Sequence, residues 1–238
     1  MNKGILEESM SEGILFDLDG TLWDSAAEVL ASWNQSLKRH GVGKVIAKEE
    51  MEAQMGRVLE DIFASFFPQA APECRRQLLE HCSREELEHM RRRGGRLYPG
   101  LGGVLEDLSA AGYRLFIVSN CQKGYIEAFL EFSGLGACFA DWAWAGGPGG
   151  SKAENIRLLT ERQGLKKALY VGDTAWDQEA AGQAGIPFIH AAYGYGSVGE
   201  GFTPAIGSLA ELPAAVAKVF KAWPEGCYDD RTFSGGIL

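Results

Sequence analysis

Two strand-like runs separated by a long stretch that is helical throughout constrain this chain before anything else does. Gly13-Ile14-Leu15-Phe16 is apolar and is broken at Gly20, the pattern of a short strand buried in a parallel sheet. The next such run is Arg114–Val118. From about Ser25 to Arg93 the spacing is helical only. Ala26, Ala27, Val29, Leu30, Trp33 and Leu37 recur at helical intervals up to Gly41, with Asp24 or Ser25 able to cap. Glu49–Phe67 continues as helix, interrupted near Gly56, and Pro72–Arg93 is long and charged. That block exceeds a crossover helix, so it is expected to be an inserted second domain.

Beyond Tyr98 helix and strand alternate. Leu101–Ala111, Lys123–Phe132, Lys152–Gln163, Trp176–Ala184 and Leu209–Ala222 read as helices. Arg114–Val118, Ala168–Val171 and Pro187–His190 read as strands, as does Cys138–Trp144 in an uncertain register. The expectation is an α/β fold, a doubly wound parallel sheet with an inserted all-helical cap. Residues 1–24 and 94–223 would form the core, 25–93 the cap, and 224–238 a Gly-rich tail of no readable purpose.

The first strand ends on Asp17-Leu18-Asp19. Carboxylates at i and i+2 leave a strand on one side, so two acids crowd at the carboxyl edge of the sheet, where open α/β sheets bind ligands. Crowded carboxylates call for a hard cation such as Mg²⁺. A carboxylate beside Mg²⁺ can attack phosphorus while its neighbour moves the proton.

Three further segments suit that chemistry. Ser119-Asn120 follows a strand and opens towards a helix, offering hydroxyl, amide and backbone N–H groups to phosphate oxygens. Lys152 opens a helix after the loop Gly146–Gly150, well placed for a cation facing the sheet edge. Gly172-Asp173-Thr174-Ala175-Trp176-Asp177 brings two more acids to another strand end, with Asp173 placed to finish a Mg²⁺ site and Asp177 one helical turn on. Singly these are ordinary turns, caps and surface charges; in chain order at four strand or helix ends they form a catalytic set.

The set resembles the haloacid dehalogenase (HAD) superfamily, in the subfamily with a helical cap inserted after the first motif, and is phosphoglycolate phosphatase-like. Phe16–Leu22, Ser119-Asn120, Lys152 and Gly172–Asp177 are similar to its four motifs, and Tyr98-Pro99-Gly100 to the segment where the chain re-enters the core. The resemblance implies that Asp17 is the nucleophile that becomes an aspartyl-phosphate, and that Asp19 is the general acid and base. It also implies that Lys152 offsets negative charge, and that Thr21, Ser119, Asn120 and Lys152 bind the phosphoryl group. Mg²⁺ would lie on Asp17, the Asp19 backbone carbonyl and Asp173, with Asp177 outside them. Dehalogenases and phosphonate-cleaving relatives lack the second acid, so Asp19 speaks against both. Sugar phosphomutases tend to carry Val or Ile where Thr21 stands, which favours hydrolysis of small-molecule phosphomonoesters while leaving the mutase as the alternative. A low-turnover binding or regulatory protein is a further alternative that the intact acids disfavour.

Met55-Gly56-Arg57 lies where related caps carry a specificity loop. Arg57 is either a substrate contact or an ordinary exposed arginine between two helices. Arg91-Arg92-Arg93 reads as a solvated linker, and the Trp23, Trp33 and Trp176 side chains as packing. Gly146–Lys152 fails as a nucleotide loop because Ser151 and Ala153 occupy the wrong positions. Cys121 could have a lowered pKa at a helix start, but a cysteine-dependent phosphatase needs an Arg where Glu127 stands. The four histidines show no ligand spacing; His40, His81 and His89 read as surface residues, and His190 ends a strand.

Composition sets the remaining limits. At 238 residues, 46% of them hydrophobic, the chain can bury one good core and a smaller accessory unit. A net charge of −9 disfavours nucleic acid and anionic membrane as partners. No apolar run is long enough to span a bilayer, the polar segment Met1–Glu12 is unlike a signal peptide, and five scattered cysteines suit a reducing compartment. A cytoplasmic monomer or small homo-oligomer is expected.

Overall fold

The structure is a computed structural model that describes residues 12–199 and 204–222. The segment 224–238, read as a tail, lies outside the described residues. Strand β1 is Glu12–Phe16, and β4 (Arg114–Ser119), β5 (Phe139–Trp144), β6 (Lys167–Gly172), β7 (Phe188–Ala191) and β8 (Ala205–Ile206) complete its sheet. All pairings are parallel, in the order β5-β4-β1-β6-β7-β8. The chain builds outwards from β1 to one edge and then to the other. The strand order therefore reverses at β1, and a crevice opens above its carboxyl end.

The alternation of β1 divides the core into two layers. Ile14 and Phe16 face the helices α5 (Leu101–Ala110), α6 (Tyr125–Ser133) and α9 (Leu212–Lys221). Leu15 faces α7 (Lys152–Arg162) and α8 (Ala175–Ala184). Both faces are fully covered, which is why β1 is apolar throughout its buried length rather than alternating with polar residues.

Between β1 and β4 the chain is helical as the spacing predicts, with α1 (Ala26–Arg39), α2 (Lys48–Glu52), α3 (Leu59–Phe66) and α4 (Pro72–Arg93). Trp33 of α1 is buried between Phe63 and Phe66 of α3, with ring centroids 4.7 and 6.4 Å away. On α4 the buried residues are Cys82, Glu86 and Met90, a stripe at four-residue spacing that packs against α1.

Three features differ from expectation. Trp23-Asp24, just ahead of the first expected helix, is strand β2, paired antiparallel with β3 (Arg96–Leu97) where the helical block leaves and re-enters the core. Two-residue strands carry too little pattern to be seen in sequence. Ser25 makes no side-chain cap on α1, because its hydroxyl donates to Asp19 instead. Trp176, read as packing, is 52% exposed.

Phe63 is 2% exposed and anchors the aromatic cluster of the helical block. Phe63→Ala should lower unfolding stability by about 3–5 kcal/mol, read from the urea midpoint at unchanged slope. A loss below about 1 kcal/mol would show that the cluster does not hold the block together.

Candidate active site

The backbone N–H of Asp17 donates to the Val171 carbonyl at 2.8 Å, so the β1–β6 ladder runs on through the proposed nucleophile. Its carboxyl is 1% exposed and meets Asp173 and Asp177, both fully buried, beyond the end of β6. One oxygen from each of Asp17, Asp173 and Asp177 falls within 4.8 Å of the others. Lys152 enters from the start of α7, where Ser151 caps the helix by accepting from the Glu154 N–H. Its Nζ donates to Asp17 Oδ1 at 2.8 Å and to Asp177 Oδ1 at 2.6 Å.

The electrostatics follow from burial. Desolvation pushes Asp17 up to about 7, against the pull of Lys152 and with Asp177 adding to the rise. Desolvation, Asp177 and Asp17 together hold Asp173 well above the usual carboxylate range. Burial alone would lower the Lys152 ammonium, but Asp17 and Asp177 outweigh it and hold it well above its usual value. One ammonium against three buried carboxyls leaves an excess of negative charge among hard oxygen donors. The set fits a divalent cation.

Each acid in the cluster has a fixed environment. Asp177 Oδ2 accepts from the Thr174 N–H and hydroxyl at 2.9 and 2.7 Å, closing a capping box on α8. With Oδ1 on Lys152, both of its oxygens are engaged. Asp173 Oδ2 accepts the Tyr195 N–H at 2.8 Å, and its Oδ1 accepts the Thr21 hydroxyl at 3.4 Å. Thr21, expected to bind phosphate, thus turns its hydroxyl on a carboxylate here. Gly20 has φ of +85°, and a Cβ there would lie 2.2 Å from Asp173 Oδ2; only glycine lets the chain pass.

Asp19 is half-buried, and three donors converge on its Oδ1: Trp23 Nε1 at 2.8 Å, Tyr125 Oη at 3.0 Å, and the Ser25 hydroxyl. Burial raises its pKa and these donors oppose the rise without cancelling it.

Ser119 and Asn120 line a cavity of about 40 Å³ under the helical block, together with Asp17, Asp19, Arg57 and Glu86. That is room for roughly three waters. Asn120 Nδ2 donates to the Gly56 carbonyl at 2.8 Å, so the proposed phosphate loop and the loop before α3 are tied. Gly56 has φ of +86° and sits against Thr174, where a Cβ would lie 3.0 Å from its methyl group. Arg57 donates to Gln54 Oε1 at 2.6 Å.

Other sequence candidates fall outside this set. Cys121 carries a thiol pushed well up by burial rather than lowered, since α6 starts four residues later at Tyr125. His40 and His81 stack on each other at 3.9 Å, His89 pairs with Glu28 at 2.6 Å, and His190 Nε2 lies 3.2 Å from the Asp173 carbonyl.

Sequence reasoning missed Trp23, Ser25 and Tyr125 on Asp19, Glu86 in the cavity, and the hydroxyl of Tyr195. That hydroxyl accepts from the backbone N–H groups of Ser25 and Ala26 at 2.8 and 3.0 Å and donates to Asp24 at 2.8 Å. It fills the capping place at the start of α1 that Ser25 vacates. Only a tyrosine hydroxyl arriving from residues distant in sequence does this, so no local signal existed. Tyr195→Phe would strand those two buried N–H groups. It should cost about 1–3 kcal/mol in stability and speed amide exchange at Ser25 and Ala26. Unchanged stability and exchange would mean that the start of α1 needs no such clamp.

Residues 14–191 match the family model described as haloacid dehalogenase-like hydrolase. Phosphoglycolate phosphatase of Synechococcus elongatus is 29% identical over 189 residues, 77% of this chain and 85% of that protein. Phosphoglycolate phosphatase of Aquifex aeolicus is 30% identical over 196 residues, 76% of this chain and 85% of the relative. Among solved structures, CbbY of Rhodobacter sphaeroides in complex with phosphate superposes with a TM-score of 0.75 at 21% identity, covering 87% of this chain and 99% of that one. A haloacid dehalogenase-like hydrolase of Streptococcus pneumoniae gives the same TM-score at 22% identity over 87% and 99%. At such identities these structures speak for the fold, and the curated relatives for the chemistry. The chain belongs to the haloacid dehalogenase-like hydrolases, as a phosphatase with a helical insertion after its first strand.

Proposed function

We propose that the chain hydrolyses small-molecule phosphomonoesters in two covalent steps, with residues 1–24 and 94–223 as catalytic core and 25–93 as a cap that closes over the substrate. The observation that carries this reading is the buried Asp17–Lys152–Asp177 chain beside Asp173, at the point where the strand order reverses. Asp17 attacks phosphorus through the oxygen not engaged with Lys152. The ester P–O bond breaks, and Asp19 gives its proton to the departing alkoxide. Asp19 then takes a proton from the water that attacks the aspartyl-phosphate, the Asp17–phosphorus bond breaks, and orthophosphate leaves. The raised pKa of Asp19 suits a group that must carry a proton in the first step.

Lys152 holds Asp17 in place and offsets charge as phosphorus is transferred, with Ser119 and Asn120 positioning its oxygens. Mg²⁺ is the cation we assign to the cluster, on Asp17, the Asp19 backbone carbonyl and Asp173; when bound it supplies charge neutralisation on the phosphoryl oxygens. Asp177 orients through Lys152. Arg57 and Gly56 belong to the cap loop that would sort substrates, phosphoglycolate-like or nucleotide-like among them. No helix among the described residues is long and apolar enough to cross a membrane. We place the enzyme in the cytoplasm, as a monomer or small homo-oligomer.

Asp17→Asn keeps size but removes the attacking charge. Phosphate release from p-nitrophenyl phosphate should vanish in that variant, and in the wild type it should depend on Mg²⁺ and stop with EDTA. Turnover by folded Asp17→Asn near the wild-type rate would rule out the covalent route.

Asp19→Asn should slow phosphorylation of Asp17 by roughly 10²–10⁴-fold with alkyl phosphates and by less with p-nitrophenyl phosphate, whose leaving group needs little protonation. Single-turnover rates measure this directly. Equal losses on both substrates would take the acid role away from Asp19.

A further inference from the structure

Glu86 is an acid in a place where the sequence gives no reason for one. It lies on the buried stripe of α4, is 4% exposed, and accepts from Trp33 Nε1 at 2.7 Å through Oε2. Among the described residues no Lys, Arg or His forms an ion pair with it. It lines the same cavity as Asp17, Asp19 and Ser119. Around it the cap wall is apolar, made of Val29, Trp33, Met51, Met55 and Ile62.

The neighbouring polar groups are engaged elsewhere. Arg57 donates to Gln54 and has Asp61 at 3.9 Å. Gln122 Nε2 donates to the Ser83 carbonyl at 3.0 Å, and Asn120 Nδ2 to Gly56. Apart from Arg57, whose guanidinium already donates to Gln54, the cap side of this cavity is an apolar wall with one carboxyl set in it. A carboxyl with one indole donor keeps acceptor capacity, and buried acceptors seek partners.

Resting on the phosphatase reading, we propose that Glu86 reads a hydrogen-bond donor on the leaving group. The preferred substrates are then phosphate esters of alcohols that carry an added hydroxyl or ammonium, ahead of those that carry a carboxylate. An ammonium would pair with Glu86 directly, and a hydroxyl would donate to it. A carboxylate would bring a further negative charge beside Asp19, where the cap's arginine already has Gln54 and Asp61 as neighbours. Burial pushes Glu86 up to about 8, against Trp33 and helped by the charge of Asp19, and a substrate ammonium beside it would favour its ionised form.

A matched two-carbon series tests this: ethyl phosphate, 2-hydroxyethyl phosphate, phosphoethanolamine and phosphoglycolate, with p-nitrophenyl phosphate as reference. The wild type should turn over at least one of the two donor-bearing esters with kcat/KM about tenfold or more above ethyl phosphate, and phosphoglycolate below both of them. Glu86→Gln should shrink the preference for the ammonium most and for the hydroxyl less, mainly through KM, with ethyl phosphate changed by less than about threefold. Phosphoglycolate ranked first, no preference among the four, or a ranking unchanged in Glu86→Gln overturns the inference. The wild-type ranking needs no variant, so it decides even if Glu86→Gln fails to fold. No phosphate released from any of the five would instead overturn the phosphatase reading itself.

Discussion

A buried ammonium clamped between two buried carboxylates is the interaction on which the rest of the site depends. Taking Lys152 out of water is costly unless it is paired, and Asp17 and Asp177 pair it at 2.8 and 2.6 Å. The pairing in turn fixes where β1 and α7 can end relative to α8. It also leaves the cluster short of positive charge, because among the described residues Asp173 has the Tyr195 N–H and the Thr21 hydroxyl as its hydrogen-bond donors and no cation of its own. An apolar sheet edge would have no such deficit. A divalent cation would remove it, which would make metal binding and order at this edge two aspects of one balance.

The same edge is tied to the helical block at several points of different chemistry. Asn120 holds the Gly56 carbonyl, Gln122 holds the Ser83 carbonyl, and Tyr195 holds the first turn of α1. Tyr195 also gives its backbone N–H to Asp173, so one residue touches both the acid cluster and the start of α1. A cavity of about 40 Å³ beneath these ties describes a block seated on the core. Opening of the block, as proposed, would break these few hydrogen bonds, with the antiparallel β2–β3 ribbon joining it to the core.

The elements that sequence revealed are those whose signal is local. Gly13–Phe16 and Arg114–Val118 are continuous apolar runs because both sheet faces are covered, and Pro72–Arg93 begins on a proline that fits the first turn of a helix. Asp17, Asp19, Ser119, Asn120, Lys152 and Asp173 were legible because each follows a strand or opens a helix. Cys138–Trp144 was ambiguous because β5 sits at the sheet edge with mixed burial, next to a register shift at Leu115/Phe116. β8 is two residues long and hid for the same reason as β2. Glu86 was hidden in a run of charges, where nothing but the four-residue stripe with Cys82 and Met90 marks it as inward-facing. Tyr125 and Tyr195 act through hydroxyls that reach residues more than a hundred positions away, and no periodicity encodes that reach.

The placement of Asp19 joins these threads. Two of its three donors, Trp23 and Ser25, belong to the segment where the chain passes into the helical block, and the third, Tyr125, opens α6 in the core. Trp23 is locked there by edge-on contacts with Tyr125 and Phe129, at 5.8 and 5.0 Å between ring centroids. A swing of the block about this segment would move Ser25 while Trp23 stays packed on the core, and so would change the number of donors that favour the ionised form of Asp19. Proton transfer by Asp19, as proposed, would thereby be sensitive to whether the block is seated. For a phosphatase that passes phosphorus to its own carboxylate before water arrives, closure of the site and the setting of this carboxyl would then go together.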